Sequence, residues 1–262
     1  MKPMIMGIVN LTSDSFYKNS RFTSDKELIE KVEGMIRDGM DIIDIGAFSS
    51  RPGAKIVSEM EEWDRLQEGL KLIRREFPGL YVSVDTFRSG IAKKSIDEGA
   101  DIINDISGGD ADDGMFDVIT KSGIPYILMH MKGTSETMQT LTKYENLLLE
   151  LIQFFEKRVK KLYQMGHNDI IIDPGIGFSK TIDQNYEILK NLDYFKVLKL
   201  PLLVGVSRKS LIYKKFGTTP DEALNGTSVL NTFAVRNGAS ILRVHDVKEA
   251  REVVELANLV TN

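Results

Sequence analysis

The stretch YVSVDT (81–86) is a short apolar run that ends in polar side chains, and seven other stretches of the chain share its design. They are IMGIVN (5–10), IIDIGA (42–47), IINDIS (102–107), YILMHM (126–131), IIIDPG (170–175), LLVGVS (202–207) and ILRVHD (241–246). Helix-like segments separate them. Short runs rich in Ile and Val are typical of buried parallel strands. The sequence therefore predicts an α/β fold, a (β/α)8 TIM barrel.

In such a barrel the reactive groups gather at the carboxyl ends of the strands. We therefore expect the polar residues at the ends of the runs to converge on one site. They are Asn10, Asp44, Asp85, Asn104, His130, Asp173, the Ser207, Arg208 and Lys209 group, Arg243 and His245. We interpret His130 as a core histidine rather than a catalyst, because it follows a buried strand, and we leave Asp44 unassigned.

The composition narrows the class of protein. A chain of 262 residues suits one barrel, and no boundary is visible, so we expect a single domain over residues 1–262. The lack of cysteine excludes disulfides, thiolate metal sites and a cysteine nucleophile. A net charge of −4 argues against nucleic acid as a partner. No signal peptide and no apolar run of roughly 20 residues is visible, so we expect a cytoplasmic protein without a membrane partner.

Four segments that follow strands are long, and long loops are often active-site lids. They follow strands 1, 2, 5 and 7 and cover residues 11–23, 48–58, 132–143 and 208–220. All four lie at the same end of the predicted barrel.

Three rim segments carry groups that suit an anion: SSRPG (49–53), SRKS (207–210) and the pair Arg243 and His245. Arg243 and His245 are two residues apart, so they face the same side of strand 8, and arginine suits bidentate phosphate contacts. The alternative is that these cations are simply solvated.

Asp85, Asn104 and Asp173 end strands 3, 4 and 6, where an unpaired carboxylate is costly to bury. A heterocycle with several N–H donors would satisfy these groups. The alternative is that they pair with Lys209 or Arg243 for structural reasons.

Eight blocks of the chain resemble the dihydropteroate synthase family, in the family's order and from Ile5 to about Val247. They are NLTSDSF (10–16), SSRPGA (49–54), SVDT (83–86), IINDISG (102–108), LMHMKGT (128–134), DPGIGF (173–178), VGVSRKS (204–210) and RVHDV (243–247). The resemblance implies a TIM barrel. It also implies the condensation of 6-hydroxymethyl-7,8-dihydropterin diphosphate with 4-aminobenzoate to 7,8-dihydropteroate and pyrophosphate, a step of folate synthesis.

The resemblance also assigns roles, with Asp85, Lys209 and Arg243 as catalytic residues. The pterin is assigned to Asp85, Asn104, Asp173, Phe178, Lys209 and Arg243. The diphosphate is assigned to Asn10, Arg243 and His245, with Asn10 also holding Mg²⁺. The aminobenzoate pocket and its closing loops are assigned to Asp14, Ser15, Phe16, Ser50, Arg51, Pro52, Phe178, Lys209 and Ser210. The family is typically a homodimer, which we adopt here as an expectation.

The chain departs from the family pattern in the first two loops. Ser13 stands where proline is usual, and residues 47–50 read AFSS where Gly-Glu-Ser-Thr is common, so Phe48 replaces a carboxylate. Three other functions remain open. They are a methyltetrahydrofolate-binding corrinoid methyltransferase domain, an aldolase-type barrel with a Schiff-base lysine, and a pterin-binding protein without activity.

Overall fold

The computed structural model describes residues 2–11, 21–48 and 57–261, within which eight parallel strands form a barrel. The strands are β1 (Met4–Asn10), β2 (Ile42–Gly46), β3 (Tyr81–Asp85), β4 (Ile102–Asp105), β5 (Tyr126–Met129), β6 (Ile170–Asp173), β7 (Leu203–Val204) and β8 (Ile241–Val244). Their order is β6-β5-β4-β3-β2-β1-β8-β7. A parallel bridge between Ile172 and Leu202 joins β6 to β7. The predicted TIM barrel is confirmed.

Helices follow the strands in the described part of the chain. They are α1 (Arg21–Arg37), α2 (Glu59–Glu76), α3 (Ser89–Asp97), α4 (Met115–Ser122), α5 (Leu147–Gln164), α6 (Ile182–Lys190), α7 (Ser210–Phe216), α8 (Leu224–Arg236) and α9 (Val247–Thr261). The segment after β7 differs from the long loop that we expected. It contains α7 and a 3-10 turn at Pro220–Ala223, because apolar Leu211 and Ile212 bury against the core.

The barrel floor is filled by apolar side chains from seven strands. They form one buried cluster of Met6, Ile42, Ile102, Ile127, Ile171, Leu203 and Ile241. Because this layer closes the amino-terminal half of the barrel, polar groups are confined to the carboxyl-terminal half.

The alternate strand residues point outward to the helices. Ile43, Val84 and Ile103 are fully buried in the large cluster that also holds Leu70 of α2 and Phe155 of α5. Burying each such side chain contributes roughly 1.5–3 kcal/mol, so this layer stabilises the fold substantially. Among the described helices, none has the length and apolar character needed to cross a membrane.

Candidate active site

Strand alternation places the polar residues directly above the barrel floor. Residues two apart on a strand face the same side. Four apolar–polar pairs have this spacing: Ile42 with Asp44, Ile102 with Asn104, Ile171 with Asp173 and Ile241 with Arg243. In each pair the apolar member belongs to the floor cluster. The polar members therefore project into the upper part of the same interior, as the sequence predicts for Asn104, Asp173 and Arg243.

Arg243 lies at the centre of a hydrogen-bonded network. Its Nε donates to Oδ2 of Asp44 at 2.6 Å, and its Nη2 donates to Oδ2 of Asp85 at 2.8 Å. Asp44 also accepts from Oγ of Ser83 at 2.6 Å and from Nδ2 of Asn104 at 3.2 Å. Burial alone would lower the pKa of Arg243, but the carboxylates of Asp44 and Asp85 raise it. The guanidinium is therefore a fixed cation with two anionic supports.

Asp85 keeps one oxygen without a partner. Its Oδ1 is buried and accepts no hydrogen bond among the described residues. Burial raises the pKa of this carboxyl to about 7, and the negative charge of Asp44 adds to the rise. The cation of Arg243 acts in the opposite direction and lowers the pKa. A buried carboxylate oxygen without a donor costs free energy. A ligand that brings an N–H group to Oδ1 would recover that free energy, so Asp85 offers a buried acceptor for a ligand donor.

Asp173 and Lys209 form the second half of the rim. Oδ1 of Asp173 accepts from the backbone N–H of Gly175 at 2.8 Å, and burial raises the pKa of this carboxyl while the charge of Lys209 lowers it. Nζ of Lys209 donates to the carbonyl of Ile176 at 2.5 Å and lies 4.8 Å from the centre of the Phe178 ring. Burial lowers the pKa of Lys209 to about 8.

His245 follows β8, beside Ser207 after β7. Nδ1 of His245 lies 3.0 Å from Oγ of Ser207, and the backbone N–H of His245 donates to the same oxygen at 3.2 Å. Asn10 ends β1, the strand between β8 and β2, and is half-buried. Ser210 begins α7 directly after Lys209. These positions agree with one rim at the strand ends.

Arg208 does not belong to the anion cluster in which the sequence places it. Its guanidinium binds both carboxylate oxygens of Asp246, with Nε 2.9 Å from Oδ2 and Nη2 2.8 Å from Oδ1. Nη1 donates to the carbonyls of Pro220 at 2.9 Å and Asp221 at 2.7 Å. Because its hydrogen-bonding groups are directed to Asp246, which follows β8, and to the segment between α7 and α8, Arg208 is structural, and Lys209 alone of this pair faces the site.

Several expected residues fall outside the described part of the chain. They are Asp14, Ser15, Phe16, Ser50, Arg51 and Pro52, together with Ser13 of the unusual first loop. Phe48, the departure in the second loop, is described and packs edge-on against Phe87, with ring centres 5.1 Å apart. It shares an apolar cluster with Phe178 and Met129. This cluster lines the rim on the Phe178 side.

Sequence reasoning placed Asp44 at the strand ends without a role, and it missed Lys180. Asp44 supports Arg243, and its spacing from Ile42 was the signal that could have identified it. Lys180 is buried beside His130, with Nζ 3.0 Å from Nδ1, and no sequence signal marked it. Burial and the nearby lysines lower the pKa of His130 to about 2, and its ring packs edge-on against Phe154 at 4.7 Å. The interpretation of His130 as a core histidine agrees with this placement.

Comparison with known proteins gives a consistent result. The family model described as "Pterin binding enzyme" matches residues 6–245. The chain is similar to a dihydropteroate synthase of Synechocystis, with 40% identity over 257 residues that cover 97% of this chain and 89% of the relative.

Solved structures agree with the sequence relatives. A dihydropteroate synthase from Clostridium difficile, determined in the presence of pteroic acid, has a TM-score of 0.92 at 32% identity and covers 99% of this chain and 97% of its own. A dihydropteroate synthase from Xanthomonas albilineans with 4-aminobenzoic acid has a TM-score of 0.91 at 30% identity and covers 99% of this chain and 93% of its own.

Proposed function

The chain belongs to the pterin-binding enzyme family and, within it, to the dihydropteroate synthases, and we propose how its described residues carry the reaction. The enzyme is a transferase of folate biosynthesis. It condenses 6-hydroxymethyl-7,8-dihydropterin diphosphate with 4-aminobenzoate to give 7,8-dihydropteroate and pyrophosphate.

The observation that carries the proposed pterin site is the unpaired Oδ1 of Asp85. A pterin presents several N–H donors along one edge, which suits a rim of carboxylate and amide groups. Asp85 and Asp173 accept from these donors, and Asn104 lies beside them on β4. The Clostridium difficile relative was determined in the presence of pteroic acid, which contains a pterin ring. We therefore assign the pterin edge to Asp85, Asn104 and Asp173.

Loss of pyrophosphate is the step that needs electrostatic help. When the bond between the pterin methylene and the diphosphate oxygen breaks, negative charge grows on the leaving group and positive charge on the methylene. Arg243 and His245 stabilise the negative charge on the leaving group, because fixed donors aimed at developing charge lower the barrier. Asp85 and Asp173 add negative potential near the positively charged methylene. No covalent intermediate with the protein is required.

The described residues fit Mg²⁺ as an ion shared with the substrate. Among the described residues, no group of three or more His, Cys, Asp or Glu is placed to hold a metal ion. Asn10 offers one amide oxygen, and Mg²⁺ commonly binds through one or two protein ligands together with substrate phosphates and water. An ion held in this way would neutralise charge on the leaving pyrophosphate. We therefore propose a diphosphate-bound Mg²⁺ with Asn10 as its protein ligand.

The amine of 4-aminobenzoate then attacks the methylene from the Phe178 side of the rim, and it gives up one proton to the released pyrophosphate as the C–N bond forms. Phe178, Lys209 and Ser210 border the proposed aminobenzoate pocket, and the apolar cluster of Phe48 and Phe178 suits an aromatic ring. Six residues of the first two loops are proposed to close this pocket against water, which would otherwise capture the cation. They are Asp14, Ser15, Phe16, Ser50, Arg51 and Pro52.

One assay tests the function. Purified enzyme is mixed with the pterin diphosphate and 4-aminobenzoate, with and without Mg²⁺, and both dihydropteroate and pyrophosphate are quantified. We expect both products in equal amounts from wild type and a large loss for Asp85→Asn. Absence of product from wild type would remove the proposal. Methyl transfer from methyltetrahydrofolate to a corrinoid, without pyrophosphate release, would instead establish the methyltransferase alternative.

We further propose a homodimer formed by helices α8 and α9. Their outer faces expose Val229, Phe233, Leu256 and Leu259, an apolar surface that a second copy could cover. The two helices pack against each other, so these residues can form one patch. Light scattering of wild type and Phe233→Asp tests this, with a dimer expected for wild type and a monomer for the variant.

A cytoplasmic location is proposed because a diphosphate substrate does not cross membranes, and cell fractionation tests it.

A further inference from the structure

Lys180 is a buried cation that the proposed reaction does not use. The residue is 5% exposed and lies just after β6. Its Nζ has three partners at 3.0 Å, which are Nδ1 of His130 and the carbonyls of Gly175 and Phe178. An ammonium group has three N–H donors. Each donor therefore has an acceptor, and the lysine connects the end of β5 to the turn that follows β6.

That turn has an unusual backbone. Gly175, Gly177 and Ser179 have φ values of 69°, 88° and 47°, all in the left-handed region. A Cβ atom on Gly175 would lie only 2.0 Å from the carbonyl oxygen of His130, so only glycine fits there. Left-handed residues other than glycine cost free energy. The turn therefore depends on the contacts that hold it, and Lys180 donates to two of its carbonyls, those of Gly175 and Phe178.

Burying the ammonium of Lys180 costs free energy, which a side chain that only filled space would not need to spend. No described carboxylate forms an ion pair with it. Burial lowers its pKa to about 7, although Asp173 raises it, and Lys209 and Lys132 lower it further. His130 is neutral because its own pKa is about 2, so its Nδ1 can accept. An apolar side chain of similar length would occupy the same volume without the cost of burying an ammonium.

The turn that Lys180 holds contacts the site through Ile176 and Phe178. The carbonyl of Ile176 accepts from Nζ of Lys209, and Phe178 places its ring 4.8 Å from the same nitrogen. The main chain of Asp173 is held by β6, where its carbonyl accepts from the backbone N–H of His130 at 3.0 Å, and its Oδ1 accepts from the backbone N–H of Gly175 in the turn at 2.8 Å. Arg243 is held by Asp44 and Asp85. Displacing the turn would therefore act most directly on Phe178 and Lys209, whereas Asp173 keeps its strand position and Arg243 keeps its carboxylate partners.

We propose that Lys180 is a positioning residue for the aminobenzoate side of the site, because it holds the turn that carries Phe178 and supports Lys209. This inference rests on the proposed function, which assigns that side to 4-aminobenzoate. The lysine touches neither substrate and acts through the backbone of residues 175–178.

The test is steady-state kinetics of Lys180→Met with each substrate varied in turn. We expect the KM for 4-aminobenzoate to rise about tenfold, which is the loss of roughly one hydrogen-bonded contact. We expect the KM for the pterin diphosphate to change less than about threefold. Lys190→Met, an exposed lysine at the end of α6, is the matched control and should leave both constants unchanged.

A second pair of variants covers the case in which Lys180→Met does not fold. His130→Asn keeps an acceptor near the position of Nδ1 and should resemble wild type, whereas His130→Leu removes the acceptor and should reproduce the selective rise in KM. Equal changes in both KM values, or a lower Tm with both values intact, would overturn the inference while wild-type turnover preserves the proposed function. A wild type without turnover would remove both together.

Discussion

The guanidinium of Arg243 is anchored by the buried carboxylate of Asp44, with Nε 2.6 Å from Oδ2. Asp44 is fully buried and accepts two further hydrogen bonds, from Ser83 and Asn104. Asp44 therefore organises three strands around one charge, since Ser83 lies on β3, Asn104 on β4 and Arg243 on β8. The other end of the guanidinium reaches Asp85, whose remaining oxygen is free for a ligand.

Replacing Asp44 by asparagine should weaken pterin binding without direct contact with the substrate. The variant keeps the shape of Asp44 but removes one of the two charges that fix Arg243. We expect the KM for the pterin diphosphate to rise at least about tenfold, since misplaced electrostatic groups lose their effect over short distances. Steady-state kinetics measure this. Ser83→Ala, which removes one neutral hydrogen bond to the same carboxylate, is the control and should change that KM far less. A wild-type KM in Asp44→Asn would contradict the anchoring role.

Asp85 should give pterin binding a pH dependence near neutrality. Burial raises its pKa to about 7, while Arg243 lowers it, so a fraction of the free enzyme holds a protonated carboxyl at pH 7. Only the ionised form accepts two N–H donors from a pterin edge. We expect kcat/KM for the pterin diphosphate to rise between pH 6 and pH 8. In Asp85→Asn this rise should disappear together with most activity. An unchanged pH profile in that variant would assign the titration to another group.

The same carboxyl should cost stability in the absence of ligand. Because its folded pKa lies above the ordinary value of 3.8, Asp85 favours the fold most below pH 3.8, and that contribution is lost as the pH rises through about 7. Asp85→Asn should therefore be at least as stable as wild type at pH 8, while Arg243 keeps its ion pair with Asp44. Thermal unfolding at pH 5 and pH 8 measures this. A variant that loses more stability at pH 8 than at pH 5 would contradict the sign.

Arg208 should affect stability rather than substrate binding. Its bidentate pair with Asp246, which lies between β8 and α9, and its bonds to the carbonyls of Pro220 and Asp221 join that position to the segment between α7 and α8. Arg208→Met should lower the free energy of unfolding by about 1–3 kcal/mol, because it removes a charge-assisted pair and two further bonds. Denaturant unfolding measures the loss, and Asp246→Asn should reproduce much of it. A large rise in the KM for the pterin diphosphate with intact stability would restore the anion-binding role.

Alternation along the strands made much of the site predictable. Asp85, Asn104, Asp173 and Arg243 end strands that the apolar runs identified, and a period of two decides which side chains enter the barrel. Asp44 followed the same rule from Ile42. Its role was not evident from the sequence because its main partner, Arg243, lies 199 residues away.

The rest of the site depends on backbone geometry that residue identity does not reveal. Arg208 sits at a φ of 53°, which turns it away from the rim although both neighbours face the site region. Lys180 bonds to backbone carbonyls, which every residue has, so no pattern of side chains could identify its partners. Helix α7 was not predicted because its segment is rich in charged and turn-forming residues. The structure shows that its Leu211 and Ile212 are buried and form its apolar face.

Asn10 should set the affinity for the Mg²⁺ ion that we propose on the substrate diphosphate. It is the protein ligand proposed for a metal ion that is otherwise held by the substrate diphosphate and water. Asn10→Ala should therefore raise the Mg²⁺ concentration needed for half-maximal rate by about tenfold, and high Mg²⁺ should restore much of the rate. Titration of turnover with Mg²⁺ at saturating pterin diphosphate measures this. Asn168→Ala, an exposed asparagine before β6 at the opposite end of the barrel, is the matched control and should titrate like wild type. If the titration curves of Asn10→Ala and wild type coincide, the ion is held by the substrate without this side chain.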